Sequence, residues 1–113
     1  LKPPRPAPGA ELARVEDVPD NGAIALHFEN DSVLLTRRGA EVFAYVNLCP
    51  HSYYHLDRED GRVLVQEQRF IVCPHHGASF ELTSGACAGG PCNGEGLQTI
   101  AIDVRDGAIS LRG

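Results

Sequence analysis

Phe70-Ile71-Val72-Cys73-Pro74-His75-His76-Gly77-Ala78-Ser79-Phe80-Glu81-Leu82 is the stretch on which the reading of this chain turns. A short apolar run ends in a cysteine, a proline stops it, and histidines follow at once. Ala78, Phe80 and Leu82 then alternate with polar residues, the period of a second strand. The stretch therefore predicts strand, tight loop, strand, with a thiol and an imidazole on the loop. The same grammar stands upstream, where Val42-Phe43-Ala44-Tyr45-Val46 leads into Cys49-Pro50-His51. Strand ends are stiff, so two such loops can face each other across a fixed gap.

Outward from these junctions the pattern is short strands divided by turn signals. Ile24, Leu26 and Phe28 alternate with Ala23, Ala25 and His27, Asn30-Asp31 marks a turn, and Val33-Leu34-Leu35 opens the next strand before Arg38-Gly39 turns again. Near the end Ile100, Ile102 and Val104 alternate with Thr99, Ala101 and Asp103, and Asp106-Gly107 is a hairpin turn before Ile109 and Leu111. Asp60-Gly61 is read as the turn of a hairpin whose second arm is Phe70-Ile71-Val72. No window sustains a 3.6-residue apolar stripe, so the fold class is all-β. Residues 1–10, with four prolines, read as a flexible or extended arm, and 11–113 as one domain. Within it, Cys, His, Gly and Pro concentrate between about 48 and 97. That shift suggests a metal-binding β subdomain inserted into a small sandwich or barrel made by the flanking segments.

Composition narrows the function. The chain carries 42% hydrophobic and 22% charged residues, as folded domains do, and a net charge of −5. No basic stripe exists to meet phosphates, so nucleic acid is not expected as a partner. No run nears the roughly 18 apolar residues of a membrane span, and no secretory signal is expected from the Pro-rich start. The chain opens on Leu1, not Met, and is expected to be a trimmed form. Four cysteines would allow two disulfides, but two of them sit beside histidines, which favours ligation in an intracellular setting.

Two thiolates and two imidazoles suit either tetrahedral zinc or a 2Fe–2S cluster with His replacing Cys on one iron. Zinc modules usually group like ligands together, whereas here each loop mixes them. Cys-x-His and Cys-x-x-His in this order resemble the signature of Rieske iron–sulfur proteins. The resemblance continues in Leu56, in Gly77 with Ala78, Phe80 and Leu82, in Gly85, in Gly90-Pro91 as the start of a cluster-covering loop, and in the closing strands from Leu97 to Ile109. It spans roughly residues 10 to 112. It implies a Rieske-like fold, one 2Fe–2S cluster, and Cys49, His51, Cys73 and His76 as its ligands.

Several residues depart from the family pattern. The interval from His51 to Cys73 is 21 residues, longer than in compact Rieske ferredoxins, and Tyr53, Tyr54 and His55 replace small residues and proline. High-potential family members join their two cluster loops by a disulfide. The matching positions here are Tyr54 or a neighbour and His75, so that bridge is lost. Where those proteins aim Ser and Tyr hydroxyls at the cluster sulfurs, this chain has Ala78 and Phe80, which implies a lower potential.

Cys87 and Cys92 flank Gly89-Gly90-Pro91. They read as a loop-stiffening disulfide or, with slightly better odds in a reducing compartment, as two unlinked thiols. His27 is expected to be inert, His55 a surface residue, His75 packed beside the cluster, and Asp57, Glu59 and Asp60 a solvated turn.

The resemblance implies a cytoplasmic, ferredoxin-type electron carrier between a flavoprotein or ferredoxin reductase and an oxygenase, and not an enzyme on its own. Rival readings are a small subunit or domain of an oxidoreductase such as a nitrite reductase, and a structural zinc module. The remaining histidines, His27, His55 and His75, have no catalytic domain to hold a mononuclear iron.

Overall fold

The computed structural model describes residues 2–50, 54–58, 60–75, 77–92 and 94–112. Among the described residues ten strands follow one another: β1 (Glu11–Arg14), β2 (Gly22–His27), β3 (Ser32–Arg38), β4 (Glu41–Val46), β5 (Val65–Gln66), β6 (Phe70–Val72), β7 (Ser79–Glu81), β8 (Cys87–Gly89), β9 (Ile102–Arg105) and β10 (Ala108–Leu111). Among the described residues there is no α-helix, only the 3-10 turn Val15–Asp17, whose start is capped by Asp17 accepting the Arg14 N–H. The all-β expectation holds.

The strands form three antiparallel sheets, ordered β1-β10-β9, β2-β3-β4 and β5-β6-β7-β8. The middle sheet explains the architecture, because both of its faces are covered. On β3, Val33 and Leu35 point into one core with Val18, Ala44 and Ile109, and Leu34 points into another with Tyr45, Leu56, Ile71, Phe80 and Leu82. Successive side chains leave opposite faces of a strand, so a run without polar interruption serves two interiors. The first core belongs to the base; the second joins the base to the β5–β8 subdomain. Residues 98–100 bind the two base sheets together, since Val46 N–H donates to Gln98 O and Ile100 N–H to Ala44 O, each at 2.8 Å.

Two turns repay comparison with the sequence. Asp106-Gly107 makes the β9–β10 hairpin with φ of 50° and 79°, as its residues foretell. The hairpin at Asp60-Gly61 instead pairs Asp57 with Val63, and β6 pairs with β5 through a separate turn at Glu67-Gln68. Both of those residues have positive φ, 54° and 55°, without a glycine or asparagine to announce it. One expected hairpin is therefore two. The Pro-rich start lies against the body: Glu29 N–H donates to Pro3 O, Gly9 N–H to Leu111 O, and Arg5 pairs with Asp31 at 2.6 Å.

Candidate metal centre

Each sulfur donor sits just beyond a strand of a different unit. Cys49 follows β4 of the base by three residues, and Cys73 follows β6 of the subdomain directly. Main-chain hydrogen bonds close both loops. Cys49 N–H donates to Tyr54 O at 2.9 Å, and Cys73 N–H donates to Ala78 O at 2.8 Å, while Gly77, at φ 76°, donates back to Cys73 O. Both cysteines are buried, 0% and 1% exposed, in one cluster with Leu56, Ala78, Phe80 and Cys92. The structure thus brings the two thiol-bearing loops to the same interior. His51 and His76 lie outside the described residues.

A third loop presses on the second. A Cβ at Gly90 would stand 2.8 Å from Gly77 O and 2.9 Å from the Ala78 Cα, at a φ of 75°. Only glycine lets the backbones meet this closely. The same loop corrects an expectation: Cys87 and Cys92 are bonded, not unlinked, with Cα atoms 6.0 Å apart. The Gly89-Gly90-Pro91 turn folds the chain back within bridging range.

At the rim the two cysteine-bearing loops touch through rings. Tyr54 stacks on His75 with centroids 3.9 Å apart and planes 23° from parallel. An aromatic contact therefore stands where the sequence places the lost disulfide of the high-potential proteins.

Behind the first loop lies a polar network that sequence reading missed. Asn47, 1% exposed, uses every polar atom of its amide: Nδ2 donates to Ser32 Oγ at 3.0 Å and to Asp57 Oδ1 at 2.9 Å, and Oδ1 accepts the Leu56 N–H at 2.8 Å. His27 meets Asp57 Oδ2 through Nε2 at 2.8 Å and Ser32 Oγ through Nδ1 at 2.9 Å. His27 is accordingly not inert, and Asp57 does not merely solvate a turn. Burial works to raise the Asp57 pKa, but hydrogen bonds from Asn47 and His27 and the nearby imidazole charge hold it below the usual carboxylate value. Its spacing from Cys49 gave no hint of this, because the partner histidine comes from a distant strand. His55 is exposed, as expected, and packs on His27 with centroids 5.0 Å apart.

A second junction holds the subdomain on the base. Thr36 Oγ1 and Tyr45 Oη both donate to the carbonyl of Leu82, at 2.6 and 2.9 Å. Burial pushes the Tyr45 phenol up to about 12, with Thr36 opposing the rise.

Two buried cysteines on loops closed by main-chain hydrogen bonds, with the Gly90 backbone pressed against the second, are a donor set that fits an iron–sulfur cluster. The family model of the Rieske [2Fe-2S] domain matches residues 10–103. The chain belongs to this family, whose domain binds a 2Fe–2S cluster, and its function is one-electron transfer through that cluster.

Among solved structures it is similar to the Sphingomonas yanoikuyae B1 ferredoxin, with 30% identity, a TM-score of 0.72, and coverage of 92% of this chain and 97% of that one. The ferredoxin of carbazole 1,9a-dioxygenase from Nocardioides aromaticivorans IC177 shares the fold at 24% identity and TM-score 0.71, covering 95% and 98%. The terminal oxygenase of carbazole 1,9a-dioxygenase from Novosphingobium sp. KA1 shares it at 19% identity and TM-score 0.73, over 91% of this chain but 29% of that one. No curated protein matches the chain in sequence. No helix among the described residues is long and apolar enough to cross a membrane.

Proposed function

We propose that Cys49, His51, Cys73 and His76 hold the cluster, and that the chain carries electrons one at a time from a flavoprotein or ferredoxin reductase to an oxygenase in the cytoplasm. The observation that carries this reading is the pair of buried cysteines brought into one interior by two loops of matching construction. A cluster bound there would supply a reversible one-electron centre, held by these two cysteines and two histidines. The chain's own part is to bury the sulfurs, fix the loops and exclude water with the Gly90 cover.

Partner choice is supported by kinship and surface. The ferredoxin of a carbazole dioxygenase shares this fold from end to end. Leu48 and Tyr54, the exposed large apolar residues that flank the first loop, offer a partner an apolar rim close to the centre.

Electron paramagnetic resonance of the dithionite-reduced protein tests the ligand set. A rhombic signal of low average g is expected in the wild type, and its loss in Cys49→Ser and Cys73→Ser. In His51→Cys the signal is expected to move toward that of an all-thiolate cluster. A silent spectrum with one equivalent of zinc per chain would remove the reading. Transfer is tested separately, by mixing the reduced protein with an oxygenase component and following its reoxidation.

A further inference from the structure

A second constellation of metal-binding side chains lies beside the centre and plays no part in the function above. We infer that His27, His55 and Asp57 form a binding site for a divalent transition-metal ion of the zinc class.

One ligand atom from each of these three residues lies within 4.8 Å of the other two. Two elements supply them. His27 closes β2 of the base, while His55 and Asp57 stand two apart on the segment that leaves the first ligand loop. The residue between them, Leu56, is wholly buried, and its N–H is held by Asn47, so the segment is pinned with its two donors in place.

The supporting hydrogen bonds are those that metal ligands require. Ligating histidines are oriented through their second nitrogen, and ligating carboxylates through their second oxygen. Here Ser32 Oγ takes the Nδ1 of His27, and Asn47 Nδ2 takes the Oδ1 of Asp57, leaving Nε2 and Oδ2 to face one another at 2.8 Å. Ser32 Oγ, which also reaches Leu26 O at 3.2 Å and accepts from Asn47, fixes the plane of the His27 ring whichever ring nitrogen carries the proton. A metal ion entering between Nε2 and Oδ2 takes the place of the proton that the two atoms share in its absence.

Two imidazoles and a carboxylate select zinc-class ions over calcium and magnesium, which take oxygen ligands. Tetrahedral zinc, with bonds of about 2.0–2.2 Å, sets its donors roughly 3.3 Å apart. The His27–Asp57 pair would therefore open by about half an ångström. The exposed His55 ring swings in to complete three protein ligands, and water takes the fourth position. Access is open: His27 and His55 line a surface pocket of about 370 Å³ together with Lys2, Glu29 and Asp31. The ion would tie base to subdomain at the foot of the first ligand loop.

Isothermal titration of the oxidised, cluster-loaded protein with Zn²⁺ alone tests this, with iron and sulfide counted before and after. One equivalent should bind with iron retained, and His55→Gln should weaken it by more than tenfold. That change is at an exposed position, so its melting temperature without zinc should match the wild type. Ser32→Ala should cost about 10–100-fold by releasing the His27 ring. Absence of stoichiometric binding overturns the inference, as do equal affinity in His55→Gln and the wild type, and uptake matched by iron loss. The last result would mean that zinc had entered the cluster site. Failure of the site leaves the electron-transfer reading untouched, since that one is read from the reduced cluster.

Discussion

Asp57 and Leu82 show how single residues join the two halves of the chain. The folded-state pKa of Asp57 lies below its unfolded value, near 3.8. Its stabilising contribution is therefore complete above that value and is lost as pH falls through the lower, folded-state pKa. Asp57→Asn should destabilise the protein at neutral pH, and the gap to the wild type should close on acidification; thermal melts of both proteins across the acid range read this directly. The Leu82 carbonyl gives a different signature, because it has two donors. Thr36→Val and Tyr45→Phe should each cost about 0.5–1.5 kcal/mol. The double variant should exceed their sum, since only then is a buried oxygen abandoned. Urea unfolding of the four proteins closes the cycle. At this scale the sequence spoke for the thiols and stayed silent on the network. Cys-Pro-His is a local pattern, whereas His27 and Asp57 are 30 positions apart and become neighbours only through sheet packing.

Strands and loops were more legible than the turns between them. β2, β3, β4 and β10 stand where alternation and β-branched residues put them, and the Asp106-Gly107 hairpin follows from its residues. The Glu67-Gln68 turn was hidden because neither residue advertises positive φ; strand pairing imposes it. The Cys87–Cys92 bridge was half visible, as spacing allowed it but could not show how the intervening glycines bend. Its loop is short, so the chain-entropy contribution is roughly 2 kcal/mol. Cys87→Ala/Cys92→Ala should lose about that much stability and bleach faster on warming, yet keep the reduced-state spectrum. A changed spectrum would mean that the bridge shapes the centre and does not merely brace its cover.

For the molecule as a redox device, the residues packed with Cys49 and Cys73 tune the potential that the ligand type sets. Ala78 and Phe80 are wholly buried and bring no hydroxyl to the second loop. With fewer hydrogen bonds to offset its charge, the reduced state is favoured less. Potentiometric titration should place the midpoint toward the lower end of the range of about −150 to +300 mV, and a value above about +200 mV would contradict this. Installing Ser at 78 and Tyr at 80 together should raise it.

The central strand, β3, carries a further consequence. Its odd and even positions furnish different interiors. Inserting or deleting one residue there would swap the inventories of both compartments at a stroke. Lineages of this protein should therefore vary freely in spelling along that segment while keeping its length in step, and gain or lose residues only in the bends at either end.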